Sequence, residues 1–172
     1  IKICAVLGVP RIGWNDHWGC VVDALRPWGI PVRRHIGAFW GHNISNCIED
    51  CVKDGIDWVL TLDYDTMFTA RHLNRLMEIL AARPDVDAVC GMQTRRGSEL
   101  PLMTRKGETE FEVDWSPIKV DTAHFGLTLI RLDELAKIPM PWFCDIPSAS
   151  GSWRDNDRVD EDIYFWNKWK EY

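Results

Sequence analysis

An alternation running through the first 92 residues constrains the fold more than any other feature. Short apolar stretches, rich in β-branched residues, alternate with longer ones whose apolar residues recur every three or four positions. The first kind reads as buried strand and the second as amphipathic helix. Residues 1–9 form a strand-like run closed by Pro10. Asn15 or Asp16 is placed to cap a helix carrying Trp18, Val21, Val22, Leu25 and Trp28, ended by Gly29. Residues 31–36 form a second, more polar strand. Residues 43–54 put Ile44, Cys47, Ile48, Cys51 and Val52 at helical spacing, with Gly55 as the stop. Residues 57–62 are again a buried strand. Residues 69–83 repeat the helical pattern through Leu73, Leu76, Met77 and Leu80 up to Pro84, and residues 86–92 are the next strand. Strands joined by helices need crossover connections. The expected class is therefore α/β, with a mostly parallel central sheet and helices on both faces.

After residue 92 the pattern changes. Residues 93–116 are polar and rich in glycine and charge, with a hairpin expected about Lys106-Gly107. Residues 120–131 read as a short strand pair around Gly126. Residues 144–158 hold Pro, Ser, Gly, Asp and Asn in a run expected to form a mobile surface loop. Residues 160–172 make a final helix with Ile163, Trp166 and Trp169 as its apolar positions. No repeat or linker interrupts the chain. Its 172 residues are expected to fold as one domain, with residues 1–92 as one half and residues 93–172 as the other.

A net charge of -6 and a pI near 5.3 speak against a nucleic-acid backbone as the main partner, which would call for a basic footprint. They leave room for a nucleotide, which needs only a local site. No apolar run approaches the roughly 20 residues of a membrane span and no secretory leader is visible, so the cytoplasm is the expected location. Six cysteines without a CxxC pair fit reduced core thiols there. Ten tryptophans are many for the length, and core packing accounts for them before any role on a sugar face.

Chemistry is concentrated where the strand Trp58-Val-Leu-Thr-Leu runs into Asp63-Tyr64-Asp65. In open α/β sheets ligands bind beyond the carboxyl ends of strands. With one residue between them, two carboxylates can approach a single ion if the chain turns after Asp63. Such hard oxygen ligands suit Mg²⁺ or Mn²⁺, which keep positions open for water and substrate phosphates. An ordinary surface turn, where Asp is common, is the alternative reading of the same three residues.

The stretch of residues 43–68, a helix followed by Gly-Ile-Asp-Trp-Val-Leu-Thr-Leu-Asp-Tyr-Asp-Thr-Met-Phe, resembles the segment around the DxD motif of GT-A glycosyltransferases. It is most similar to the family 2-like enzymes of bacteria and their phages. Two further landmarks follow in the family's order. His124-Phe-Gly-Leu-Thr-Leu-Ile-Arg131 resembles the glycine-bearing segment before the acceptor half of the site, and Asp160-Glu161-Asp162 resembles the Glu-Asp motif that opens a late helix.

The resemblance implies a Rossmann-like three-layer sandwich and transfer of a sugar from a nucleotide-diphosphate-sugar, UDP- or GDP-linked, to a carbohydrate or other acceptor hydroxyl. Asp63 would lie near the ribose and the metal, Tyr64 beside it, and Asp65 on the metal. Asp162 would take the acceptor proton in an inverting reaction, with Glu161 positioning acceptor or loop; a carboxylate in a partly dry site is a workable base near neutral pH. Val9, Pro10 and Arg11 end the strand where this fold receives the nucleotide base. Asn43 and Gly126 would complete the donor pocket, although His42 stands where relatives often carry arginine. His124 is a candidate third metal ligand, and Arg95 and Arg96 are candidates for the diphosphate. Acidic residues also favour the first turn of any helix through its dipole, which is the plain reading of residues 160–162. Relatives usually continue past the last helix to a histidine that can join the metal. Here the sequence stops at Tyr172, so either the chain is truncated or His124 or water completes the shell.

Two rival readings follow. Asp-x-Asp after a strand also marks haloacid-dehalogenase phosphatases, but those want threonine two positions after the second Asp, where Met67 stands. A non-catalytic nucleotide-sugar or carbohydrate-binding module on the same fold is the other.

Overall fold

The structure, a computed structural model, describes residues 1–10, 13–94, 97, 101–105, 107–108 and 116–172. The chain forms two compact units: Ile1–Gly91 with Phe125–Ala136, and Met92–His124 with Lys137–Tyr172.

The first unit is built on five strands: β1 (Ile3–Val9), β2 (Val32–Ile36), β3 (Trp58–Leu62), β4 (Ala88–Cys90) and a late one, β7 (Leu127–Arg131). Their order in the sheet is β2-β1-β3-β7-β4. β1 pairs in parallel with β2 and β3, and β7 pairs antiparallel with both β3 and β4. Four strands thus run one way and β7 runs against them. The expectation of a mostly parallel sheet holds, with one correction: β3 and β4 are separated by a strand from the other half of the sequence. Residues 127–130 are buried throughout, as a strand covered on both faces must be. The sequence reading of a strand pair around Gly126 is likewise corrected, because β6 (Thr122–Ala123) pairs instead with β5 (Met103–Thr104) in a separate two-stranded sheet.

Alternate residues of the strands point to opposite faces. On one face Leu7, Trp58, Leu60, Leu62, Leu127 and Leu129 pack with α1 (Asn15–Leu25) and α3 (Ala70–Ala82) in a single apolar cluster. On the other, Cys4, Val6, Val59 and Ile130 are buried, and α2 (Trp40–Lys53) lies against β1. The approach is close: a Cβ on Gly8 would come within 3.2 Å of the Asn43 Cβ. Helices therefore cover both faces of this sheet.

The helices differ in how far they follow the expected faces. α2 starts at Trp40, three residues before the predicted position, and buries Ile44, Cys47, Ile48 and Cys51 while leaving Val52 exposed. α3 begins after Thr69, which caps it: the Thr69 side chain takes the backbone N–H of His72, and His72 Nδ1 accepts the Thr69 N–H at 3.2 Å. α1 is rotated from its predicted face. It buries His17, Val21, Ala24 and Leu25, and leaves Trp18, Val22 and Trp28 exposed. Its N-cap is Trp14, without a side-chain cap, and a 3₁₀ turn over Arg26–Trp28 carries the chain to Gly29, whose φ of 62° suits glycine. A short helix, α4 (Leu132–Leu135), follows β7 directly.

In the second unit α5 (Glu161–Glu171) packs on β6 through Trp166, whose indole N–H donates to the Ala123 carbonyl at 2.6 Å. Phe165 stacks on Phe143 and Trp169, so its ring, not the half-exposed Ile163 named from the sequence, is the buried partner of Trp166. The expected hairpin shows at its described ends as paired Arg105 and Glu108; Lys106 lies outside the described residues. The run of residues 144–158 is internally bonded rather than irregular. Ile146 pairs with Val159 across its base, and Asp155 accepts from the Ser148 and Ser150 hydroxyls at 3.1 and 2.7 Å. Those bonds hold the Asp155 carboxyl below its ordinary range.

All six cysteines are free thiols. Cys4, Cys47 and Cys51 are buried between β1 and α2, and burial pushes Cys47 up to about 11. Among the described residues no helix is long and apolar enough to cross a membrane.

Candidate functional site

The first unit places Asp63, Tyr64 and Asp65 immediately beyond the carboxyl end of β3, the strand whose five residues are all buried. An apolar strand of this kind must stop where polar residues begin, and the chain turns there: the Thr66 N–H donates to the Asp63 carbonyl at 3.2 Å. The Asp63 carboxylate also accepts the N–H of Tyr64 at 3.1 Å, which fixes its direction within the turn. Both aspartates are half-buried, and the Tyr64 ring leans on the apolar cluster beneath the sheet. Two half-buried carboxylates separated by one residue, at the ligand-binding end of an α/β sheet, are a chemically sensible partial shell for a divalent cation.

The donor set fits such an ion only as part of a ternary arrangement. Among the described residues no group of three or more His, Cys, Asp or Glu stands ready to hold a metal. Asp63 and Asp65 would then supply two oxygens, with phosphate and water filling the rest, as Mg²⁺ and Mn²⁺ commonly accept. Of the residues expected to receive a nucleotide base, Val9 and Pro10 are half-buried at the end of β1, and Arg11 lies outside the described residues, as do Arg95 and Arg96. Asn43 is tied into the fold. It is 5% exposed, and its amide oxygen lies 3.2 Å from the His35 Nδ1. His42 is exposed, with its ring against Phe39. Gly126 is buried in the turn leading into β7.

In the second unit His124 and Asp162 are brought together, with His124 Nδ1 2.9 Å from Asp162 Oδ2. Asp162 lies in the first turn of α5, where the helix dipole favours a carboxylate. It is the more enclosed of the two, its side chain 21% exposed against 45% for His124. His124 was expected as a metal ligand. Its Nδ1 is engaged by the Asp162 carboxylate. Glu161 is held through its backbone, whose N–H donates to Asp145 at 3.0 Å, and Asp160 is paired with Arg158.

One residue in contact with the turn escaped the sequence reading. His17 of α1, 3% exposed, has its Nδ1 2.7 Å from the Thr66 carbonyl. The signal was present in the spacing of His17, Val21, Ala24 and Leu25, a one-sided helical pattern in which histidine takes an apolar position.

No protein-family model matches the sequence, and no curated protein matches it. Among solved structures the chain is similar to the crystal structure of A197 from STIV. The two are 19% identical with a TM-score of 0.60, over 97% of this chain and 78% of that one. At that identity the likeness carries the mixed α/β fold.

Proposed function

We propose that the chain is a metal-dependent glycosyltransferase of the GT-A type, taking a nucleotide-diphosphate-sugar as donor and an acceptor hydroxyl as its second substrate. The observation that carries the reading is the pair of half-buried carboxylates, Asp63 and Asp65, in a tight turn at the end of the buried strand β3. They would hold Mn²⁺ or Mg²⁺, which when bound neutralises charge on the diphosphate leaving group. Support for the acceptor half comes from Asp162. With its Oδ2 held by His124, its second oxygen is available to accept the proton of the acceptor hydroxyl, as an inverting reaction requires. His124 donates from Nδ1, because the carboxylate can only accept, and so orients the base.

The reading is tested with nucleoside diphosphates and their sugars. Mn²⁺ together with one nucleotide class among the UDP, GDP, CDP and dTDP sugars is expected to raise the melting temperature, and EDTA to abolish the shift. Asp65→Ala should lose that response. Asp162→Asn should keep it but lose transfer or slow hydrolysis of the donor by about 10²-fold or more. A folded protein that ignores every nucleotide sugar, or that responds equally without metal, would sink the proposal. Donor binding with neither transfer nor hydrolysis would point to a binding module instead.

A further inference from the structure

His17 lies beneath the turn of residues 63–66, on the core-facing side of α1. The Thr66 carbonyl can only accept, so the proton of the 2.7 Å contact sits on His17 Nδ1. The other ring nitrogen, Nε2, is enclosed and has no partner among the described residues. The ring meets Phe68 edge-on, with centroids 6.5 Å apart. A buried ring nitrogen without a partner disfavours histidine here on stability grounds, since an apolar side chain would fill the same place without it. Among the described residues the one side-chain bond of His17 is to the carbonyl of Thr66, the residue whose N–H closes the Asp63–Tyr64–Asp65 turn. Two other bonds of that turn, Thr66 N–H to Asp63 O and Tyr64 N–H to the Asp63 carboxylate, lie within it. His17 fastens it to a neighbouring helix.

We propose that His17 is a positioning residue for the ion and diphosphate: by anchoring Thr66 it sets the directions in which Asp63 and Asp65 present their oxygens. The inference rests on reading those two aspartates as the ion's ligands. A neighbour that orients ligands without touching the ion commonly governs affinity by about 10-fold to 100-fold.

Three variants test it. His17→Leu keeps the bulk and removes the donor. His17→Asn places an amide N–H near the Nδ1 position. His17→Gln carries the same amide one bond further out, toward Nε2. Two readouts are taken: hydrogen exchange of peptides covering residues 60–68, and calorimetric binding of Mn²⁺ with each of UDP, GDP, CDP and dTDP. In His17→Leu the turn amides should exchange faster while those of β1 do not, and nucleotide affinity should fall by about 10-fold to 100-fold. His17→Asn should restore most of both, and His17→Gln should not. Unchanged exchange in the turn of His17→Leu overturns the anchor whatever the nucleotides do. Faster exchange with unchanged affinity overturns the positioning role. If His17→Leu does not fold, equal affinity in the Asn and Gln variants defeats the inference. A parent protein that binds no diphosphate with Mn²⁺, or binds it equally as Asp65→Ala, defeats the underlying reading, and exchange still decides whether the anchor exists.

Discussion

Gly37, just past the end of β2, sits against the Asn43 side chain of α2. A Cβ built there would come within 2.5 Å of the Asn43 oxygen, closer than any real contact. That oxygen is the atom facing His35, and Asn43 is too enclosed to swing aside freely. Gly37→Ala is therefore expected to displace the amide and destabilise the fold by about 1–3 kcal/mol. Asn43→Ala loses the contact with His35 but removes the obstacle as well. The double variant should then be more stable than the sum of the single effects predicts, because the clash exists only when both side chains are present. Urea unfolding of the four proteins measures the coupling, and simple additivity would mean that Gly37 has some other reason to be glycine. The same contact engages the Asn43 amide oxygen, so the nucleotide contact that the sequence resemblance implies there would fall to the amide NH₂.

Elements were legible in proportion to how local their determinants are. α3 carries an apolar face at Leu73, Leu76 and Leu80 and a threonine at its start, so both its face and its beginning could be read from neighbouring residues. The cap makes a prediction of its own. Thr69→Ala should cost about 1 kcal/mol, because the His72 N–H loses the side-chain oxygen and keeps only the Thr69 carbonyl as acceptor. Thr69→Ser, which keeps the oxygen, should cost much less, and thermal melts separate the two. α1 was harder. Counting Trp18, Val22 and Trp28 as core residues turned the helix toward its aromatic side, whereas the sheet takes the side with His17 and Ala24. Tryptophan at half exposure is ordinary for so large a ring, and Arg34 covers Trp18 at 5.1 Å. The helix period was correct and its phase was not. α5 repeats the lesson, since Phe165 rather than Ile163 enters the aromatic cluster. The Asp63–Tyr64–Asp65 turn was readable because a strand end and two carboxylates adjoin in the sequence. The contacts of His17 with Thr66 and of His124 with Asp162 were not, since 49 and 38 residues separate the partners and no local pattern records them.

The pairing that joins the first unit is the least local of all. The chain leaves this unit after Gly91, returns at Phe125 and leaves again after Ala136. The returning segment is β7, which lies between β3 and β4. Residues 1–92, which read in the sequence as one half of a single domain, therefore lack a central strand. Without β7, Trp58 to Leu62 lose their hydrogen-bonding neighbour on one side, and β4 loses its only strand partner among the described residues. Leu127 and Leu129 also leave the apolar cluster, and Ile130 leaves the opposite face. Losing even one such side chain costs about 2–5 kcal/mol, and a domain's whole stability is about 5–15 kcal/mol. A fragment of residues 1–92 should consequently fail to fold cooperatively and should associate through its open β3 edge. A fragment of residues 1–136 restores β7 and α4 and should show a sigmoidal urea transition by circular dichroism. A cooperative transition in the shorter fragment would mean that β3 and β4 can close on each other directly, without the intervening antiparallel strand. The longer fragment also retains Asp63, Asp65 and His17. If it folds, Mn²⁺-dependent binding of a nucleoside diphosphate to it would locate donor binding within residues 1–136, without α5.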